Sequence, residues 1–169
     1  HHVQLIDVVD PNLLWSDFTF ETGRDHKLIQ HFQDYAGKVR DFGKLSPEDL
    51  VVDVGSNDGT LLECFKELGF ANVLGIDPAT EIVEAANQRG INTISGFMND
   101  ETSERIRKDY GKAKLISANN VYAHVDDLSG MTRAIKNLLS GDGLFVFEAS
   151  YLLDVVEKNL IGTIFHEHL

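Results

Sequence analysis

Cysteine, proline, long apolar runs and clustered positive charge are all scarce in this chain of 169 residues. Its one cysteine, Cys64, closes no internal disulfide and supplies no cysteine-based zinc site, and it suits a reducing, cytoplasmic compartment. The three prolines, Pro11, Pro47 and Pro78, each stand at a break between elements. There is no run of about 18 apolar residues, so no membrane span is expected. The first residues lack the basic and apolar regions of a secretory signal. Lys and Arg number 15 against 27 Asp and Glu, a net charge of −12. The densest basic patch, Arg105-Ile106-Arg107-Lys108, runs straight into Asp109. Phosphate backbones need clustered cations, so no nucleic-acid partner is expected. What remains, 43% hydrophobic and 25% charged, is the composition of one globular domain with a core of its own.

The periodicity gives the organisation. Residues 3–24 read as an irregular, aromatic-rich entry. From about Asp25 the apolar positions Leu28, Phe32, Tyr35, Val39 and Phe42 recur at spacings of four and three, the face of a helix that Gly43 and Pro47 end. Beyond residue 46 short β-branched runs alternate with helical ones. Strands are expected at Leu50–Val54, Asn72–Ile76, Ile91–Ser95, Leu115–Ala118 and Gly143–Glu148. Helices are expected at Thr60–Leu68, Thr80–Arg89, 100–110, Ser129–Leu139 and 151–159. The division is an entry segment and helix, 1–45, followed by an α/β domain, 46–169. Alternation of this kind builds a parallel sheet covered by helices on both faces, with ligands beyond the carboxyl ends of the strands.

The strand ends therefore hold the candidate residues. At the first, Asp53-Val54-Gly55-Ser56-Asn57-Asp58-Gly59-Thr60 turns from strand to helix. Gly55 and Gly59 permit positive φ and close approach of a ligand, and the helix start offers free N–H groups. A P-loop needs a lysine before the final Ser or Thr, and none is present. A dinucleotide loop needs glycine where Asn57 and Thr60 stand. An S-adenosylmethionine loop fits: an acid, Asp53, lies two residues before the first glycine, with Asn57 in place of the middle one. A carboxylate there complements the ammonium and sulfonium of that cofactor. The plainer alternative is a turn that only connects strand to helix.

At the second end Asp77, 22 residues after Gly55, is placed to accept ribose hydroxyls, with Pro78 beside it; its alternative is a helix cap. At the third, Phe97 or Met98 is placed to stack on adenine, although such side chains more often fill cores. The fourth, Asn119-Asn120, offers amides to an amino-acid end or a substrate. His124 reads as structural or positioning rather than as an acid/base group. The fifth is Glu148-Ala149-Ser150-Tyr151. Near the end of the chain, His166-Glu167-His168 sets two imidazoles about a carboxylate, which offers a base and its orienting group. It lacks the spacing of a zinc helix, so no metal is expected.

Carried by Val51–Leu62, Gly75–Ala79, Asn120–Val125, Phe147–Leu153 and Thr163–Leu169, the chain resembles the class I S-adenosylmethionine methyltransferases. Within them it is similar to the sugar C-methyltransferases that act on nucleotide-linked deoxy-ketosugars. The resemblance implies a Rossmann-like fold, S-adenosylmethionine as cofactor, and a nucleotide sugar as small-molecule substrate. It implies methylation of the carbon next to a ketone: a base removes the acidified proton, and the enolate carbon attacks the methyl group. His168 is the implied base, with Glu167 and His166 orienting it. Asp53, Gly55, Asn57, Gly59, Asp77, Pro78, Phe97, Asn119 and Asn120 are the implied cofactor residues. Members of that family carry a cysteine-rich zinc module before this region and a second α/β domain after it, neither of which lies within these 169 residues, and the sheet is expected to stop after the fifth strand. Phe165, Phe18 and Phe20 stand where members often carry Tyr, and phenylalanine donates no proton. Methylation of oxygen or nitrogen, and cofactor binding without turnover, stay open as alternatives. The sequence leaves the oligomeric state open.

Overall fold

The computed structural model describes residues 10–15 and 21–160. Five strands form one sheet: β1 (Val51–Val54), β2 (Val73–Asp77), β3 (Thr93–Ser95), β4 (Ala113–Asn119) and β5 (Leu139–Glu148). Their order is β3-β2-β1-β4-β5, and every neighbouring pair is parallel. β1 and β2 are buried at every position, which is why their sequence is near-continuous Val, Leu and Ile rather than alternating.

Helices cover both faces. Leu50, Val52, Ile76 and Ile116 pack with Ile106 of α5 (Asp100–Tyr110) and with Met131, Ile135 and Leu138 of α6 (Leu128–Leu138). On the opposite face Val51 and Leu115 pack with Ala36 and Val39 of α2 (His26–Gly43) and with Leu61, Leu62 and Phe65 of α3 (Thr60–Glu67). Ala86 of α4 (Thr80–Gln88) joins the second core. Two short helices, α1 (Pro11–Trp15) and α7 (Leu152–Glu157), flank the rest. Side chains fix several helix starts: Asp25 accepts from the Lys27 N–H, Asn99 from the Thr102 N–H and Asp127 from the Gly130 N–H, each at 2.8 Å. Among the described residues no helix is long and apolar enough to cross a membrane.

Three details differ from the sequence expectation. The entry contains α1 and a 3-10 turn at Thr22–Arg24 rather than being wholly irregular. β5 begins at Leu139, which pairs with Ala113 across a register shift; Ser140, Gly141 and Gly143 disguise that extension as a turn. Phe42, read as part of the buried stripe of α2, is 80% exposed. The stripe that reaches the core runs through Ala36 and Val39 to Gly43, where a Cβ would stand 2.7 Å from Leu144. The last turn approaches β5 so closely that a larger residue at 43 would have to displace the Leu144 side chain, and Phe42 is left on the outer side.

The strand order sets the position of the site. From β1 the chain moves outward through β2 and β3, then returns beside β1 with β4. That reversal opens a crevice beyond the carboxyl ends of β1 and β4.

Candidate functional site

A cavity of about 900 Å³ occupies this crevice, within the range of small-molecule sites. Asp53, Gly55, Asn57, Asp77, Pro78, Phe97, Asn119 and Asn120 all line it. Gly59 does not; it forms the left-handed start of α3 (φ 81°), and a Cβ there would stand 2.7 Å from Ile91. His124 lines the cavity from a 3-10 turn, with its ring 6.1 Å from that of Trp15. Met98 reaches the cavity wall but is a core residue, whereas Phe97 is 38% exposed and free to cover a flat ligand. His166, Glu167 and His168 lie outside the described residues, as do Phe18, Phe20 and Phe165.

The glycine loop is held by its own polar residues. Asn57 adopts φ 52°. Its side-chain oxygen accepts from the Thr22 N–H at 3.0 Å, and Asp58 accepts from the Gly23 N–H at 2.8 Å. The entry turn is thus fastened onto the loop, and the Asn57 carbonyl oxygen is engaged by protein. Gly55 has φ 70°, and a Cβ there would fall inside the Val121 side chain. Its need for glycine comes from the turn and from Val121, not from space reserved for a ligand.

Two carboxylates dominate the electrostatics. Asp77 accepts from the N–H groups of Asn57 and Ala79, both at 2.9 Å. Burial raises its pKa, and those two bonds oppose the rise. It is not the cap of α4, whose first flanking residue is Ala79. Each of its oxygens keeps a lone pair for a further donor. Asp53 is more isolated. Among the described residues its side chain accepts one hydrogen bond, from Ser117 Oγ at 2.7 Å. Burial pushes its pKa up to about 7, the Ser117 bond opposes this, and Asp77 adds to it. A buried carboxylate so poorly compensated is a ready partner for a cation.

Beside Asp53, both side-chain polar atoms of Asn119 are buried and without a hydrogen-bond partner among the described residues, as is Ser56 Oγ. Orphaned buried donors and acceptors at a cavity wall are what a polar ligand satisfies. Asp53 and Asn119 could hold an amino-acid end, Asp77 a diol and Phe97 a flat base.

The methyltransferase domain model matches residues 24–162. This chain belongs to the S-adenosylmethionine-dependent methyltransferases. C-methyltransferase NovU of Streptomyces niveus is 34% identical to this methyltransferase over 161 residues, 95% of this chain and 38% of that protein. The chain thus spans well under half the length of that curated relative. Among solved structures, an S-adenosylmethionine-dependent methyltransferase from Clostridium acetobutylicum superposes with TM-score 0.59 at 18% identity, over 77% of this chain and 54% of that one. The plantazolicin methyltransferase BpumL, solved with a triazolic desmethylPZN analogue and SAH, gives TM-score 0.62 at 17% identity, over 82% and 53%. These likenesses establish the Rossmann-like fold.

The structure also brings to this cavity residues to which the sequence assigned no role. Glu148, at the end of β5, lines the cavity. Its carboxylate lies 2.8 Å from His31 Nε2 of α2 and accepts from Asn120 Nδ2 at 3.3 Å. The register pairs Asp53 with Ser117 and Asn119 with Glu148, so these side chains share the face that α2 covers. Period-two counting back from each strand end carries that signal. His31 carries none, because the helical stripe accounts only for apolar positions.

Proposed function

We propose that this domain binds S-adenosylmethionine in the β1–β4 crevice and serves a C-methyltransferase whose acceptor is a nucleotide-linked 4-keto-deoxysugar. The observation that carries the cofactor reading is the pair of underused polar groups at the cavity wall, the Asp53 carboxylate and the Asn119 amide. The similarity to C-methyltransferase NovU over 95% of the chain supports carbon as the acceptor atom.

Bound there, the cofactor supplies an electrophilic methyl group. The protein's part is orientation and proton handling. Asp53 holds the ammonium, Asp77 the ribose and Phe97 the adenine, which leaves the β4 and β5 ends, with Asn120 and Glu148, on the acceptor side. By family resemblance His168 removes the proton next to the ketone, with His166 and Glu167 orienting it. Proton transfer of this kind contributes about 10²–10⁴-fold.

Two experiments test this. Phe97→Ala is expected to weaken S-adenosylhomocysteine binding by roughly fivefold, the effect of losing one stacking face. Unchanged affinity, read by calorimetry, removes Phe97 from the adenine site. His168→Ala is expected to reduce methyl transfer by about 10²–10⁴-fold while S-adenosylhomocysteine affinity stays within about twofold. The assay follows labelled methyl groups into 4-ketosugar nucleotides. Transfer to oxygen or nitrogen acceptors with no carbon product overturns the sugar assignment. Cofactor binding with no transfer to any acceptor supports the alternative of a binding segment without turnover.

A further inference from the structure

Glu148, at the end of β5, is held by donors from two other parts of the fold. A carboxylate only accepts, so the His31 ring donates to it from Nε2 across 2.8 Å, and Asn120 Nδ2 donates to its other oxygen at 3.3 Å. Both donors are themselves fixed. The His31 ring lies beside those of Phe32 and Tyr35, with centroids 5.4 and 6.3 Å away. Asn120 takes a left-handed φ of 55°, and its backbone N–H donates to the Glu148 carbonyl at 2.7 Å.

As a stabilising ion pair this arrangement contributes little, because the His31 and Glu148 side chains are 46% and 40% exposed. Its position gives it another use. Glu148 and Asn120 line the cavity, while His31 stands outside the lining and reaches Glu148 from α2. Each carboxylate oxygen accepts one bond from the protein, so each keeps a lone pair for a further donor. A phosphate is a poor neighbour for that carboxylate. Every Lys and Arg of the chain lies among the described residues, and of these only Arg133 lines the cavity. Its guanidinium is already bound to Asp100, at 2.7 and 3.0 Å. The group that meets Glu148 is therefore a hydrogen-bond donor, and on a deoxy-ketosugar the donor is a ring hydroxyl.

We propose that Glu148 is a specificity-determining residue that accepts a hydrogen bond from a ring hydroxyl of the acceptor, and that His31 is a positioning residue that holds the Glu148 carboxylate in place for it. This rests on the acceptor reading above. Asn120 steadies the same carboxylate from the β4 side. Proton removal and cofactor binding are left to other residues, so Glu148 and His31 act on the choice of sugar.

The test measures methyl transfer to a nucleotide-linked 4-keto-6-deoxyhexose and to its 2-deoxy and 3-deoxy analogues. The wild-type chain is expected to use one of the two analogues with kcat/KM lower by about 10- to 100-fold, the effect of leaving a charged acceptor without its donor. Glu148→Ala is expected to lower kcat/KM for the parent sugar by a similar factor and to treat parent and analogue alike within about threefold. His31→Leu is expected to raise KM for the parent sugar by about 3- to 10-fold with little change in kcat. His31→Gln, which restores an N–H donor, is expected to recover most of that loss. S-adenosylhomocysteine affinity is expected to stay within about twofold of wild type in all three variants. Discrimination that persists in Glu148→Ala overturns this inference, and so does a wild-type chain indifferent to both hydroxyls. A His31→Gln chain as impaired as His31→Leu overturns the positioning role. Loss of S-adenosylhomocysteine affinity in Glu148→Ala overturns the inference by moving Glu148 to the cofactor. A wild-type chain that binds S-adenosylhomocysteine yet methylates no ketosugar overturns the acceptor reading itself, and this inference with it. Melting curves of each variant confirm that the comparison is made between folded chains.

Discussion

Replacing Asp53 with asparagine is expected to abolish useful cofactor affinity and, at the same time, to stabilise the empty protein above neutral pH. Both effects have one origin. Asp53 is fully buried beside a single hydrogen-bond donor among the described residues, Ser117, and its pKa is pushed from the ordinary 3.8 up to about 7. A carboxyl whose pKa is raised on folding binds its proton more tightly in the folded state. Its contribution to stability is complete below the unfolded value and is lost as pH rises through about 7. At pH 8 the free protein thus carries an undercompensated buried charge. The Asp53→Asn change removes the charge and keeps the size, so Tm at pH 8 is expected to rise by roughly 2–8 °C, for about 1–2 kcal/mol in a domain of this length. Near pH 4, close to the unfolded value of 3.8 below which the contribution is complete, the difference between the two proteins is expected to vanish.

The cost falls on binding. Removing one partner of a buried charge pair typically costs about 2–5 kcal/mol, so S-adenosylhomocysteine affinity is expected to fall roughly 10²-fold or more. The wild-type affinity is expected to rise about tenfold per pH unit up to the Asp53 pKa and to level off above it, because the ammonium needs the ionised carboxylate. The Asp53→Asn variant is expected to show no such slope. Thermal melts at the two pH values, with calorimetric titrations beside them, check both halves. A variant that is less stable than wild type at pH 8, or that binds equally well, contradicts this account of Asp53.

The second large effect is expected at Gly55. Alanine there must adopt φ 70° and place its Cβ inside the Val121 side chain. Left-handed strain of about 1–2 kcal/mol and overpacking of about 1–3 kcal/mol act together. Gly55→Ala is therefore expected to lower unfolding free energy by roughly 2–5 kcal/mol in urea. Val121→Ala in that background opens the space but leaves the backbone strain. The double variant is expected to recover about half of the loss, which is a coupling between residues in contact. Equal stability of Gly55→Ala and wild type would show that the loop relaxes without penalty. A full recovery in the double variant would show that packing alone demands glycine.

These two residues also show how far the sequence was readable. The first strand end stood out because a β-branched run stops at Asp53-Val54-Gly55, a pattern set by local backbone needs. The alternation of strand and helix was equally local, and α5 spans Asp100–Tyr110, as the sequence implies. Less legible was anything that depends on which elements meet. Val121 closing on Gly55, and Leu144 closing on Gly43, are contacts between segments far apart in the chain. Asn57 looked like a cofactor residue from its place among the glycines. It lines the cavity, and what the sequence does not show is that its side-chain oxygen accepts from Thr22, 35 residues away. Tyr35 fits the helical stripe, and nothing in that spacing signals a buried, unpartnered hydroxyl among the described residues. Only the strand register, which sets Asp53 against Ser117 and Asn119 against Glu148 under α2, reveals that the stripe crosses a polar cluster.

The central claim is that Asp53 receives the cation of S-adenosylmethionine. It is tested most directly by titrating S-adenosylhomocysteine into the protein at pH 6 in two buffers of different ionisation enthalpy. The account predicts one ligand per chain and release of close to one proton, because binding ionises a carboxyl whose free pKa is about 7. Binding without proton release, or no binding by a folded chain, contradicts it.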